Sequence, residues 1–334
     1  MERKKLLLIA TGGTIASRHT ESGLSPQIPG EELLSYIPEA AELCDIDTVQ
    51  PFSLDSTNIY WKQWAALSRL IEERYGEYDG FVICHGTDTM AYTAAALSYL
   101  VQNSRKPVVI TGSQKPIDLP ITDARSNLLD SVRFAADDRA HDVCIVFGGQ
   151  VIAGTRAKKE RTKSYNAFSS INYPPIAIVQ DRNIFFYIDD KARVTGEAVF
   201  AHAMDPDVFL YKLTPGSDGR VLESLMDSCD AVIIESFGVG GIPRYEDDRF
   251  PQIIRRWTEA GKLVVMATQV THEGSDMAVY QVGQSIKNEY RLPESYDMTL
   301  EAVVAKTMWI LGRTKDRDRF EELFYTPVNH DLLR

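Results

Sequence analysis

The sequence predicts a two-domain α/β protein. A larger N-terminal domain on a doubly wound, mostly parallel sheet spans residues 1–190, a linker spans 191–207, and a smaller C-terminal α/β domain spans 208–334. Three observations predict it. Short runs such as Gly80 to Cys84 are apolar throughout rather than alternating, as strands are when helices cover both faces of a parallel sheet. These runs alternate with stretches whose apolar residues recur at helical spacing. The pattern lapses after Gly154 and restarts at Val208.

The first element lies in Lys5 to Ala16 (KLLLIATGGTIA), an apolar strand that empties into Thr11-Gly12-Gly13-Thr14. Arg3-Lys4-Lys5 ahead of it mimic the start of a secretory signal. The apolar stretch is only about five residues, short of the roughly 7–15 of a signal core, and it ends in Gly-Gly rather than a cleavage site. Ile59 to Tyr75 is an amphipathic helix, and Gly80 to Cys84 is a second strand that opens into His85-Gly86-Thr87-Asp88-Thr89 and a helix from Met90 to Val101. Pro107 to Thr111 is a β-branched strand before Gly112-Ser113-Gln114. Thr122 to Ala136 reads as a helix with Thr122 or Asp123 as N-cap, and Val143 to Phe147 as a further strand.

Ala153 to Asn172 is basic and polar, and Pro174-Pro175 breaks any helix. Ala177 to Gln180 and Ile184 to Ile188 form a hairpin around Asp181-Arg182-Asn183. After a weakly patterned connection, the second domain supplies strands at Val208 to Leu213, Ala231 to Ser236 and Lys262 to Ala267, and helices at Arg220 to Ser228, Arg249 to Ala260 and Thr299 to Leu311. The chain holds no repeat and no low-complexity tract.

Composition limits the function classes. With 44% apolar and 25% charged residues, the 334-residue chain has the make-up of a soluble globular protein. A net charge of −11 and a pI near 5.1 oppose a sequence-independent grip on nucleic acid. No segment approaches the roughly 18 consecutive apolar residues of a membrane span, and a cytoplasmic location follows. Cys44, Cys84, Cys144 and Cys229 are far apart, without CxxC or histidine at ligand spacing, so buried reduced thiols are expected rather than disulfides or a metal site.

The chemistry gathers at two strand ends. Thr14 and Thr87 bring hydroxyls to the edge of the sheet where α/β proteins handle ligands, and Asp88 adds a carboxylate. A threonine hydroxyl needs a base or proton relay and donors for the oxyanion formed on attack. A lysine held by a carboxylate is one such relay, and Arg156, Lys158 and Lys159 are the candidate cations. The glycine turns at Gly13-Thr14 and Gly86-Thr87 offer backbone N–H donors. Singly, each piece has a plainer reading: a capped turn for TGGT, a helix-dipole carboxylate for Asp88, a hydrogen-bonded structural residue for His85, a solvated loop for Arg156 to Lys163. Those readings do not account for two hydroxyl-bearing turns at the same kind of strand end.

Taken together, the residues resemble the bacterial-type L-asparaginases. The two signatures of that family stand here as Thr11-Gly12-Gly13-Thr14-Ile15 and His85-Gly86-Thr87-Asp88-Thr89. Further matches run along nearly the whole chain: Asp55-Ser56, Thr111-Gly112-Ser113-Gln114, Asn127-Leu128-Leu129, Asn166-Ala167-Phe168, Phe237-Gly238-Val239-Gly240 and Ala267-Thr268-Gln269. The missing signal peptide and the TGSQ and NAF details are most similar to the cytoplasmic type I branch.

The resemblance implies a flavodoxin-like N-terminal sheet and hydrolysis of L-asparagine to L-aspartate and ammonia without metal or cofactor, with minor L-glutaminase activity. It also implies a homodimer or homotetramer; the expectation of no nucleic-acid or membrane partner comes from charge and hydropathy. By the family's scheme Thr14 is the nucleophile of an acyl-enzyme route, and Thr87, Asp88 and Lys159 form the relay. Lys159 is preferred to Lys158 because the family's lysine lies three residues after an arginine, here Arg156. Asp55 and Ser56, with Thr87 and Asp88, would bind the substrate's α-groups, and Ser113 would meet the side-chain amide through its backbone carbonyl.

The chain departs from the family pattern at three points. The stretch 17–30 contains no tyrosine where many relatives place one near the nucleophile, and Leu24 takes that position. Either another residue orients Thr14 or the tyrosine is dispensable in this branch. Gly241 stands where some relatives carry an asparagine, and Val270 where the allosteric type I enzyme has a cysteine. Ser17 to Gly30 has little apolar content and is expected to form a mobile lid. Three other readings compete: a glutaminase, a tRNA-dependent amidotransferase component with an extra amino-terminal domain, and a non-catalytic amino-acid binding protein. A phosphate-binding module would need a GK[ST] or GxGxxG pattern, which neither turn has.

Overall fold

The computed structural model describes residues 3–20, 23–245, 248–279 and 281–333. Contacts divide the chain into two units, Met1–His202 and Ala203–Arg334.

The first unit is built on an eight-stranded sheet. Across it run Asn183–Phe186, Ala177–Gln180, Gln150–Ala153, Val143–Phe147, Val108–Thr111, Gly80–Cys84, Lys5–Ala10 and Asp45–Val49. The last five of these are mutually parallel, and numbered along the chain their order is 2-1-3-4-5. That order is the flavodoxin-like one, and its topological switch point falls between Lys5–Ala10 and Gly80–Cys84. Three antiparallel strands extend the sheet beyond Val143–Phe147.

Successive residues of each parallel strand enter opposite cores, as a pleat requires. Leu6, Leu8, Val82, Cys84, Val109 and Val146 pack on one face with Leu128 and Val132 of the helix Ala124–Ala135. Leu7, Ile9, Phe81, Ile83, Val108 and Ile110 pack on the other, against Leu67 and Ile71 of Trp61–Arg74 and Ala94 and Leu97 of Met90–Leu100. Each of the valine, leucine, isoleucine and phenylalanine side chains among them contributes roughly 1.5–3 kcal/mol by leaving water, which is why the strands carry no polar alternation.

The hairpin Ala177–Gln180/Asn183–Phe186 turns through Asp181 (φ 50°) and Arg182 (φ 67°), both left-handed, which matches the twist of its strands. Two segments differ from expectation. The basic stretch after Gly154 is not a solvated loop throughout, because Ala157–Lys159 pairs antiparallel with Phe168–Ser170. Ser17–Thr20 and Gly23–Pro26 likewise pair as a hairpin, and its base is tied down where Gln27 and Ile28 donate their N–H groups to the Ala16 carbonyl. Glu21, Ser22 and the side chain of Leu24 lie outside the described residues. Residues 191–202 pack within the first unit, with Val199–Phe200 paired to Val101–Gln102.

The second unit carries a parallel sheet of Val208–Lys212, Ala231–Ser236 and Leu263–Thr268. Val232, Ile234, Val264 and Met266 pack against Phe250, Ile253, Ile254 and Trp257 of the helix Arg249–Glu259. Helices Gln281–Tyr290 and Arg317–Tyr325 accompany Arg220–Leu225 and Leu300–Leu311, the last capped by Thr299, whose side chain accepts from the Ala302 N–H. Lys306 Nζ lies 2.7 Å from Asp331 Oδ2 with both side chains fully buried, so the pair fastens the C-terminal segment to Leu300–Leu311. Cys44, Cys84 and Cys144 are buried free thiols and Cys229 is half-buried. Burial pushes the Cys84 thiol up to about 12.

Candidate active site

The site sits at the switch point. Where Lys5–Ala10 ends, Thr11 donates its N–H to the Cys84 carbonyl and Gly13 donates its own to Leu54, so the TGGT turn is held between two neighbouring segments. Gly13 has φ +75°, and a Cβ there would lie 2.3 Å from the Gly86 nitrogen. The two turns therefore touch backbone to backbone, which is the physical need for glycine in both signatures. Thr14 follows at the start of a short 3-10 turn, half-buried, with its hydroxyl hydrogen-bonded to no described residue.

At the neighbouring strand end, Lys159 Nζ donates to Thr87 Oγ1 at 2.7 Å and to Asp88 Oδ1 at 2.6 Å. Thr87 is buried and Asp88 exposed, so the lysine bridges from the interior of the turn to its rim. The pleat of the Ala157–Lys159 hairpin strand decides the register: Lys158 and Lys159 point to opposite faces. Arg156, the third candidate cation, is fully buried, its guanidinium over the Tyr173 ring at 5.6 Å. Asp88 does not cap the following helix; Thr89 occupies that position, and its hydroxyl donates to the Ser56 carbonyl.

Asp55 and Ser56 reach the same place from another segment. Asp55 Oδ1 accepts from the Thr57 N–H at 2.8 Å and the Thr57 hydroxyl at 2.7 Å, capping a 3-10 turn, while the carboxylate stays exposed. Ser56 is buried against Gly86, where an added Cβ would lie 2.7 Å from the Ser56 Oγ. Ser113 is fully buried, its hydroxyl donating to the Lys115 carbonyl.

Three supports escaped sequence reasoning. Gln114 straps the loops together: its Oε1 accepts from Thr87 Oγ1 at 3.5 Å and its Nε2 donates to the carbonyls of Arg161 and Ser164. Asp123 accepts from the N–H groups of Gln114 and Lys115 at 2.8 and 3.1 Å, holding the Ser113 loop to the helix start. Burial raises its carboxyl above the ordinary value despite those bonds. Asn127 donates to the Gly112 carbonyl and accepts from the Gly148 N–H, joining the ends of two strands. Gln114 and Asn127 both stand within the matched motifs, which was the available signal.

His85 is fully buried, and desolvation lowers it to about 4, which makes its neutral imidazole a weak base, and both ring nitrogens already face partners, the Gly86 carbonyl and the Thr93 hydroxyl. It is the structural residue expected from the plainer reading. Among the described residues no helix is long and apolar enough to cross a membrane. A cluster of Asp205, Asp207 and Asp230 has metal-like spacing in the second unit, but Lys315 pairs with Asp205 and Asp230, which accounts for its charge.

Comparison with known proteins shows the family. The family model for the N-terminal domain of asparaginase matches residues 5–192, and that for the glutaminase/asparaginase C-terminal domain matches residues 207–324. L-asparaginase of Thermococcus kodakarensis is 38% identical over 321 residues, covering 96% of each chain. The solved structure of the thermostable L-asparaginase from Thermococcus kodakarensis aligns with a TM-score of 0.90 over 99% of both chains, at 36% identity. L-asparaginase I of Vibrio cholerae aligns with a TM-score of 0.88 at 28% identity, over 99% of this chain and 100% of that one. A component of the glutamyl-tRNA(Gln) amidotransferase of Pyrococcus furiosus is 33% identical over 97% of this chain and 76% of its own length. With two consecutive family domains matched across almost its whole length, the chain belongs to the asparaginase family.

Proposed function

We propose that the protein hydrolyses L-asparagine to L-aspartate and ammonia, with Thr14 as nucleophile and a covalent acyl-enzyme between two displacements. The observation that carries the reading is Lys159 Nζ, 2.7 Å from Thr87 Oγ1 and 2.6 Å from Asp88, at the same sheet edge as Thr14. Thr14 Oγ attacks the side-chain carboxamide carbon. The proton it loses leaves through the Thr87–Lys159–Asp88 relay and returns to the departing nitrogen as ammonia forms. Backbone N–H groups of the two glycine turns receive the oxyanion. Water then attacks the acyl-enzyme by the same relay and releases aspartate.

Asp55 and Asp88 meet the substrate's α-ammonium, Ser56 and Thr87 its α-carboxylate, and the Ser113 carbonyl the carboxamide N–H. Simple amides are rejected because they leave these anchors unpaired. L-Glutamine, one methylene longer, is a minor substrate, since that difference is worth only roughly 1–3 kcal/mol. The chain acts as a cytoplasmic homodimer or homotetramer.

The deciding assay is ammonia release from L-asparagine and L-glutamine by the wild type and by Thr14→Ala. We expect L-asparagine to be preferred and the variant to be inactive. Full activity in Thr14→Ala would remove the nucleophile from Thr14, and no release by the wild type would leave a binding protein. Light scattering reads the oligomer; a monomer at micromolar concentration contradicts that part of the proposal.

A further inference from the structure

Behind the Thr87 turn lies a set of buried polar groups that the reaction scheme does not use. Trp64 Nε1 donates to Thr93 Oγ1 at 2.9 Å, Thr93 Oγ1 lies 3.0 Å from His85 Nε2, and His85 Nδ1 lies 2.6 Å from the Gly86 carbonyl. Thr93 and His85 are fully buried and Trp64 is 6% exposed. With His85 neutral, a single set of roles satisfies every partner in this row. An indole N–H only donates, so the Thr93 oxygen accepts from Trp64. A carbonyl only accepts, so the proton of the neutral imidazole sits on Nδ1. Nε2 is then bare, and the Thr93 hydroxyl proton must point to it. All three protons run one way, from Trp64 towards Gly86.

The end point matters because of what shares the peptide plane. The Gly86 carbonyl and the Thr87 N–H belong to one trans peptide, and in such a unit C=O and N–H point in opposite directions. Holding the carbonyl against the buried imidazole turns the Thr87 N–H away from the core. That N–H makes no hydrogen bond with any described residue. Facing away from the imidazole, this donor is available to a group bound at the sheet edge.

We propose that Trp64, Thr93 and His85 form a one-way hydrogen-bond chain of positioning residues that locks the Gly86–Thr87 peptide, so that the Thr87 N–H faces the oxyanion formed from the substrate. The inference rests on the amide-hydrolysis reading for its target, but the chain itself has a signature independent of activity. Because the oxyanion exists only after attack, loosening the peptide weakens the transition state more than substrate binding. Misaiming a donor by about an ångström costs on the order of 10²-fold in rate.

The test uses the full chain. Nitrogen-15 NMR, with His85→Gln to assign the signal, should find the imidazole of His85 protonated on Nδ1 and bare on Nε2, unchanged between pH 5 and 8. Thr93→Val should lower kcat on the order of 10²-fold with KM and aspartate affinity within about twofold, and Thr93→Ser, which keeps the hydroxyl, should recover most of it. Trp64→Phe, cutting the far end, should give a smaller loss of the same kind, and stands in if Thr93→Val does not fold. An Nε2-protonated tautomer in the wild type overturns the proposal, as does a folded Thr93→Val with kcat within twofold of wild type. A wild type that releases no ammonia sinks the amide-hydrolysis reading instead, while the tautomer still judges the chain.

Discussion

Two lysine–aspartate pairs of nearly equal length sit in opposite surroundings in this molecule. Lys159–Asp88 spans 2.6 Å with side chains 15% and 62% exposed; Lys306–Asp331 spans 2.7 Å with both at 0%. The first sits at a sheet edge, bridges to a hydroxyl and opens towards solvent. The second also donates to the Thr326 carbonyl, and Asp331 accepts from the Val328 N–H, so every charge is consumed inside the fold. Distance does not distinguish the two pairs; access to water does. An exposed pair contributes little to stability and keeps its protons exchangeable, whereas a buried pair is costly to break from one side only.

The largest expected effect breaks the comparison on the exposed side. Lys159→Met should cost activity by orders of magnitude and leave the thermal midpoint nearly unchanged, while Lys158→Met, on the opposite face of its strand, should retain wild-type turnover. Ammonia release and calorimetry on the two variants check this, and the reverse ranking would move the relay by one residue. On the buried side, Asp331→Ala strands an ammonium and should lower stability by roughly 3–5 kcal/mol in urea titrations without changing kcat per folded molecule. Removing both charges with Lys306→Met and Asp331→Leu should cost less than Asp331→Ala alone; equal costs would mean the charge is not what matters.

A third prediction concerns acid. The unfolded chain protonates His85 below about 6.5 and the folded chain only below about 4. Between these the unfolded state holds more protons, so His85 withdraws stability as pH falls through that window, by roughly 3 kcal/mol in all. Asp130 and Asp142, each raised to about 6 by burial, act with the opposite sign, since the folded state then binds the extra proton. The wild type should therefore lose stability relative to His85→Gln on acidification. Parallel pH curves for the two proteins would refute it. The smallest effect is on the segment Ser17 to Gly30: saturating L-aspartate should slow its proteolysis several-fold, and an unchanged rate would mean that this hairpin does not close on ligand.

Sequence alone carried the strand ends, because they depend on local rules, apolar runs and glycine turns; the preference for Lys159 over Lys158 came instead from the spacing of the family pattern after Arg156. It missed the strand Asp45–Val49, whose DIDTV lies at the sheet edge with charges outward and lacks the apolar run of its neighbours. It also missed what holds the site in place. Gln114, Asp123 and Asn127 act by reaching across loops, and Trp64 meets Thr93 from a different helix; nothing in local spacing announces such contacts. The Ala157–Lys159 hairpin was hidden because its strands are three residues each and polar, so their pairing is set by tertiary packing rather than propensity.

The contact between Gly13 and Gly86 carries a consequence for redesign. Since main chain meets main chain there, no change of side chain at one turn can compensate for a change at the other, and directed evolution that samples substitutions has no stepwise path through this pair. Room to alter substrate choice lies instead in the Asp55-Ser56 segment and the loop from Ser113 to Lys115. Their hold runs through side-chain hydrogen bonds, such as those Asp55 and Asp123 accept, rather than through a contact of main chain with main chain.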